Sequence, residues 1–284
     1  MDTARFMQEV ACRPDDVELV FHNLSKKDVY ESYKNSTNIC GLIESLDIEN
    51  ECFKVKLGDN LYATLPFEQA FIQDGIEMTH IISSGLKVPG HYANSIVNTK
   101  INVKVTFFSD EEIILTRRPA LTEALRQITR QIQRNKITFY CRALSFSRKS
   151  VFVDIGGGIL GNIPISALSL VHYTDINRWI RKGDCFFANL FQPQIDNFFT
   201  LSRKDFYTQN SFAEELKVHD IITVTVGHRV PKNDGYYVEI TPGIAGIIDS
   251  FKSIPEGTIK LGVISKIIKT PNSPCGYHFR IKEY

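Results

Sequence analysis

Three thirteen-residue stretches of the chain share one pattern without a gap. Lys54 to Pro66 reads KVKLGDNLYATLP, Phe152 to Pro164 reads FVDIGGGILGNIP, and Tyr237 to Asp249 reads YVEITPGIAGIID. Each begins with an alternating x-Val-x-Ile/Leu run, passes through glycine, proline, asparagine or aspartate, and ends in a second short apolar run: Leu61 to Leu65, Ile159 to Ile163 and Ile244 to Ile248. Alternation with period two on both sides of a tight turn is the signature of a β-hairpin. A fixed internal repeat constrains the fold more than any local propensity does.

The middle stretch admits a competing reading. Glycines 156, 158 and 161 spell G-x-G-x-x-G, the phosphate-cradling turn of dinucleotide-binding enzymes. That turn must open a helix of several turns. Here Pro164 follows Gly161 by three residues, and the β-branched Ile163 and Ile165 flank it, which favours extended chain. Asp175 stands near the spacing of a ribose-binding acid, but no second strand leads up to it. The glycines are therefore read as hairpin residues that supply positive φ.

Further strands recur around each hairpin in the same order. NICGLIESL (38–46), ITFYCRAL (137–144) and IITVTVGH (221–228) precede it. IVNTKINVKVT (96–106), IRKGDCFFANL (180–190) and IPEGTIKLGVI (254–264) follow it, and EEIILTRR, NFFTLSRK and YHFRIKEY close each unit. Five strands in about 70 residues, three times over, predict a mainly β chain of three tandem five-stranded barrels with helical linkers. The predicted organisation is a polar leader 1–36, a first and divergent barrel 37–118 with an insertion at 67–95, a basic linker 119–135, a second barrel 136–206 and a third 207–284. In the linker, Leu121, Leu125, Ile128 and Ile132 fall at helical spacing, with Pro119 suited to the first turn.

The residues of the second unit, FVDIGGGILGNIPISALS, RKGDCFFANL and TLSRK in that order, resemble the S1-type RNA-binding domain, an OB-fold unit repeated in a bacterial ribosomal protein family. GYYVEITPGIAGI in the third unit is similar to the last repeat of the shorter S1-like proteins of Gram-positive bacteria. The resemblance is weakest in the first unit. It implies single-stranded RNA held across a barrel face without chemistry, and a ribosome or messenger-RNA association. Physically, such binding combines aromatic platforms, on which bases stack for about 1–3 kcal/mol each, with cations along the phosphates.

The family's inner hairpin aromatic matches Phe152 and Tyr237, and the first unit has Lys54 there. The outer aromatic falls at Lys149 and Asp234, so one platform is missing from each of the two better units, and Lys149 is retained as an RNA contact. A histidine common after the second strand is replaced by Pro66, Pro164 and Asp249. Arg203 and Arg280 lie beside the closing strands, where the family keeps basic residues. Parity separates Val153 and Ile155, facing the core, from Phe152 and Asp154 on the other face, and the same parity places Tyr237 outward.

The formal net charge of +1 conceals a lopsided chain. Residues 1–118 carry 12 basic and 18 acidic side chains, whereas 119–284 carry 21 basic and 14 acidic. A basic C-terminal part suits a polyanion. Arg126, Arg130 and Arg134 recur every fourth residue along the linker, and Arg117 and Arg118 just before them complete the densest positive patch. The acidic first barrel would repel RNA and suits docking to a protein. Two readings stay open: an RNA-binding protein acting through the second and third barrels and the arginine helix, or an interaction scaffold of barrels with little RNA affinity.

No enzyme is expected, because nucleophile, zinc-hydrolase and P-loop motifs are missing from the sequence. No cofactor and no metal are expected: cysteines 12, 40, 52, 141, 185 and 275 and the seven histidines form no ligand spacing. The cysteines read as reduced core thiols of a cytoplasmic protein, and nothing in the sequence suggests a membrane span.

Overall fold

The computed structural model describes Met7, Val10 and residues 12–71, 90–147, 149–171, 180–191, 199–209, 212–231, 235–249, 252–270 and 277–284. Cys275, His80, His172, Asp175, Asp234 and most of the insertion lie outside these residues.

Fifteen strands among the described residues form three closed barrels. The first comprises β1 (Asn38–Asp47), β2 (Cys52–Gly58), β3 (Leu61–Pro66), β4 (Lys100–Phe108) and β5 (Ile113–Thr116). The second comprises β6 (Thr138–Phe146), β7 (Ser150–Asp154), β8 (Leu160–Pro164), β9 (Cys185–Leu190) and β10 (Phe199–Ser202). The third comprises β11 (Ile221–Arg229), β12 (Gly235–Thr241), β13 (Ile244–Asp249), β14 (Ile259–Lys269) and β15 (Tyr277–Glu283). In each, the first three strands form an antiparallel meander, the fifth lies between the third and the fourth, and the fourth returns to the first. The third and fifth strands run parallel, as Thr64↔Ile114 and Ile247↔Arg280 show. This is the OB-fold order, and each barrel leaves no free sheet edge.

The alternation read in the sequence sets the cores. Phe53, Val55 and Leu57 of β2, Ile101 and Val103 of β4, and Leu65 and Leu115 are fully buried in the first barrel. Gly41 on β1 is required there, because a Cβ would stand 2.5 Å from the Val55 side chain. In the second hairpin Val151, Val153 and Ile155 are fully buried, and in the third Val238 and Ile248 are. The glycine run is a hairpin turn: Gly156, Gly157 and Gly158 have φ of +132°, +58° and +80°, a backbone that a side chain would strain. The chain then continues as strand β8, not as the long helix of a dinucleotide site.

Clustering of contacts divides the chain into two compact units, one of Met1–Ser145, Val153–Gly161 and Gln194–Phe199, the other of the remaining residues. In the first unit the segment read as a polar leader contains the helix Lys26–Asn35, started by a capping box between Ser25 and Asp28, which inserts Val29 into the barrel core. The described ends of the insertion also cap that barrel. Phe67 and Phe71 pack edge-on against Phe53, at ring distances of 4.9 and 6.4 Å.

The linker is the helix Arg118–Gln133, with Pro in its first turn. Leu121 and Ile128 are buried, and Leu125 and Ile132 are half-buried. The five described cysteines are free thiols, but only Cys141 is buried; Cys12, Cys40 and Cys52 are half-buried and Cys185 is exposed at the start of β9, where the core reading fails outright. No helix among the described residues is long and apolar enough to cross a membrane.

Candidate nucleic-acid interface

The outward aromatics sit on a register that runs across each barrel. In the third barrel Tyr237 pairs with Ile247, Ile247 with Arg280, and Arg280 with Lys266. Directly opposed residues project from the same side of a sheet, and neighbouring strands lie ~4.8 Å apart. Tyr237 and Arg280, distant in sequence, therefore stand in one row about 10 Å apart, with Lys266 one strand further. The alternate face is core, since Tyr236, Ile248 and Ile281 are buried, and within the row itself Ile247 is covered as well. His228 extends the row, its ring centroid 4.8 Å from that of Tyr237.

Charge on this face comes from Arg280 and Lys266. Burial and the neighbouring Arg280 guanidinium push His278 below the ordinary imidazole range, which favours its neutral form. Arg280 contacts Asp249 at 3.4 Å, an exposed pair worth at most about 1 kcal/mol and readily exchanged for a phosphate.

The first barrel repeats the row as Lys54↔Thr64, Thr64↔Ile114 and Ile114↔Phe107. Its cation is engaged: Lys54 Nζ lies 2.9 Å from Glu44 Oε2 and 3.8 Å from the Tyr62 ring centroid. The second barrel places Phe152 and Asn162 at the same ten-residue offset within its hairpin, and Phe191 donates its N–H to the Thr200 carbonyl at 2.9 Å. Phe152 is half-buried between fully buried Val151 and Val153, so it projects outward.

Parity placed Asp154 outward beside Phe152, and there the structure departs from expectation, for Asp154 is buried. Its Oδ1 accepts the N–H groups of Gly156 (2.8 Å) and Gly158 (3.1 Å). Burial, together with the Asp15 carboxylate, pushes it up to about 7 despite the Arg117 guanidinium nearby. Glu239, two residues after Tyr237 as Asp154 is after Phe152, is buried as well and accepts a hydrogen bond from the Ser169 hydroxyl. In both hairpins, then, the aromatic is half-buried and the acid two residues later is buried.

The arginines divide. Arg126, Arg130 and Arg134 are exposed along the linker helix, Arg126 in an ion pair with Glu123 at 2.6 Å. Arg117 leaves the patch that the sequence suggested, whereas Arg118 stays exposed at the start of the helix. Arg117 is buried against Asp15 at 2.7 Å, and Arg118 Nε donates to the Glu68 carbonyl at 2.8 Å. Arg203 lies beyond Thr200 and the end of β10, where its guanidinium covers the Phe186 ring at 4.9 Å and its buried Nε has no hydrogen-bond partner. It is a packed residue outside the row. Lys149 is exposed, three residues ahead of Phe152; its backbone is fixed by hydrogen bonds to Ser147 Oγ and from the Ile165 N–H.

Sequence reasoning missed Lys266, Phe191 and Phe107, because a register across strands is not visible in local pattern. It also missed a clasp in the first unit. Asp15 and Asp16 accept the N–H groups of Asn102 (3.4 Å) and Lys100 (3.0 Å) on β4, and Asp16 pairs with Arg142 at 2.7 Å. Strand β5 pairs with β4 only from Lys104 onward, so these carboxylates satisfy the donors that β5 is too short to reach.

Among known proteins, no family model matches the sequence and no curated protein matches it. Solved structures do. One is the crystal structure of a multidomain protein with nucleic acid binding domains from Streptococcus pneumoniae TIGR4. It is similar to this chain at 13% identity with a TM-score of 0.29, over 88% of this chain and 73% of its own.

Proposed function

We propose that this chain binds single-stranded RNA on the outward faces of its second and third barrels, without catalysing a reaction. The observation that carries the reading is the register that joins Tyr237, Ile247, Arg280 and Lys266, which sets an aromatic ring and two cations around the outer surface of a closed five-stranded barrel. An aromatic stacks on a base of any sequence, and the cations track the phosphates beside it. RNA, and with it a ribosomal or messenger context in the cytoplasm, is favoured by the resemblance to S1-type repeats. The exposed Arg126, Arg130 and Arg134 add phosphate contacts in this reading, as does Lys149.

The first barrel is assigned a different task. Its row begins with a lysine already neutralised by Glu44, in a segment with six more acids than bases, so it suits a protein partner better than a polyanion. In the second reading that docking role extends to the whole chain.

A labelled poly-pyrimidine RNA titrated at several salt concentrations separates the two. RNA binding is expected to weaken steeply with salt, with a logarithmic slope of about −0.7 per phosphate neutralised. Phe152→Ala and Tyr237→Ala are each expected to weaken it about 5- to 150-fold with little change in slope, whereas Arg280→Ala or Lys266→Ala reduces the slope. No salt-sensitive binding at low ionic strength would sink the RNA reading and leave the scaffold.

A further inference from the structure

We propose that Phe191 is a second base-stacking platform of the middle barrel, taking an unpaired nucleobase at the opposite end of the row from Phe152. The inference rests on the nucleic-acid reading above. Phe191 follows β9 directly and is 47% exposed, although its backbone is held by the hydrogen bond to Thr200. Leu190 pairs with the fully buried Leu201, so the next residue projects outward.

An exposed phenylalanine taken singly is unremarkable. This one recurs: Phe107 of the first barrel, 45% exposed, opposes Ile114 just as Phe191 opposes Thr200. Counting back from the closing strands, Ile114, Thr200 and Arg280 occupy one position, and Phe107, Phe191 and Lys266 face them across the ladder. The fourth strand of each barrel thus ends its row with an outward group suited to a nucleotide, aromatic twice and cationic once.

Only the middle barrel has an aromatic at both ends. In the closed barrel β7 and β9, which position Phe152 and Phe191, stand two spacings apart through β6, about 10 Å, and three apart through β8 and β10. On the longer way round, β8 and β10 carry the half-buried polar residues Asn162 and Thr200. A protein-docking face would be a contiguous apolar patch with a polar rim. Two separate rings instead match two bases of one extended strand with a nucleotide between them, and the second ring makes good the platform that Lys149 does not provide.

The test is fluorescence anisotropy with a labelled poly-pyrimidine RNA and with an abasic strand bearing the same number of phosphates. Phe191→Ala is expected to weaken binding of the first about 5- to 150-fold at unchanged salt slope. Phe191→Trp should restore it. On the abasic strand the wild-type protein and Phe191→Ala should bind alike. Melting temperatures of both variants check that the exposed substitution leaves the fold intact. Equal affinity of wild type and Phe191→Ala for the poly-pyrimidine strand, or an equal loss on both strands, overturns the platform while leaving RNA binding in place. A wild-type protein that binds neither strand removes the RNA reading and the platform with it.

Discussion

At the scale of single residues, the cluster around Asp154 shows how a charged group changes its properties when local pattern and tertiary packing disagree. Alternation would leave Asp154 in water. In the fold it is enclosed with Asp15 and Arg117, so one cation faces two carboxyl groups. Its proton is held up to about 7, well above the ordinary carboxylate range. A carboxyl raised in the folded state contributes stability in full below its unfolded value near 4, and that contribution is lost as pH rises towards 7. Asp154→Asn removes the titration while keeping an acceptor for the two glycine N–H groups. The expected outcome is a variant that gains on the wild type in urea midpoint as the pH is raised from 5 to 8. Denaturation curves at four pH values measure it, and a pH-independent difference between the two proteins would refute the assignment.

At the scale of elements, the linker helix is the clearest case of sequence determining structure. Pro119 in the first turn and the apolar stripe from Leu121 to Ile132 predict Arg118–Gln133 closely. Ile128 is fully buried, so Ile128→Ala is expected to cost about 2–5 kcal/mol, read as a lowered urea midpoint. The hairpins were as legible as the helix, because period-two alternation and turn residues are local signals. The rows across the barrels were not. Tyr237 and Arg280 could each be named from sequence, but their adjacency depends on β15 running parallel to β13, a pairing that closes late along the chain. Arg117 misled for a related reason: in sequence it belongs to an arginine-rich run, whereas in space it belongs to Asp15, 102 residues earlier.

At the scale of the whole molecule, the three barrels share a topology and differ in what their rows present. The first offers an engaged lysine and Phe107, the second two phenylalanines, the third a tyrosine with two cations. The repeat therefore fixes a geometry in which each barrel carries its own contact chemistry. The first unit also depends on a segment outside its barrel strands. Asp15→Ala removes the ion-pair partner that the buried Arg117 guanidinium holds at 2.7 Å, leaving it only the Asp154 carboxyl nearby, and leaves one β4 donor unsatisfied; it is expected to cost about 3 kcal/mol. Chemical denaturation measures this directly, and a loss below 1 kcal/mol would show that the clasp is dispensable.

The clasp also sets an order of events during synthesis. Asp15 and Asp16 leave the ribosome early, and the five strands of the first barrel are complete by Thr116. Two further partners come later: Arg142 lies on the next barrel's first strand, and the Arg13 carbonyl receives its hydrogen bond from the Gly157 N–H. At ~5–20 residues per second, roughly two to eight seconds separate the end of β5 from that last contact. For that interval Asp15 and Asp16 hold only Lys100, Asn102 and Arg117, and the contacts to Arg142 and Gly157 are added when the neighbour's first strands emerge.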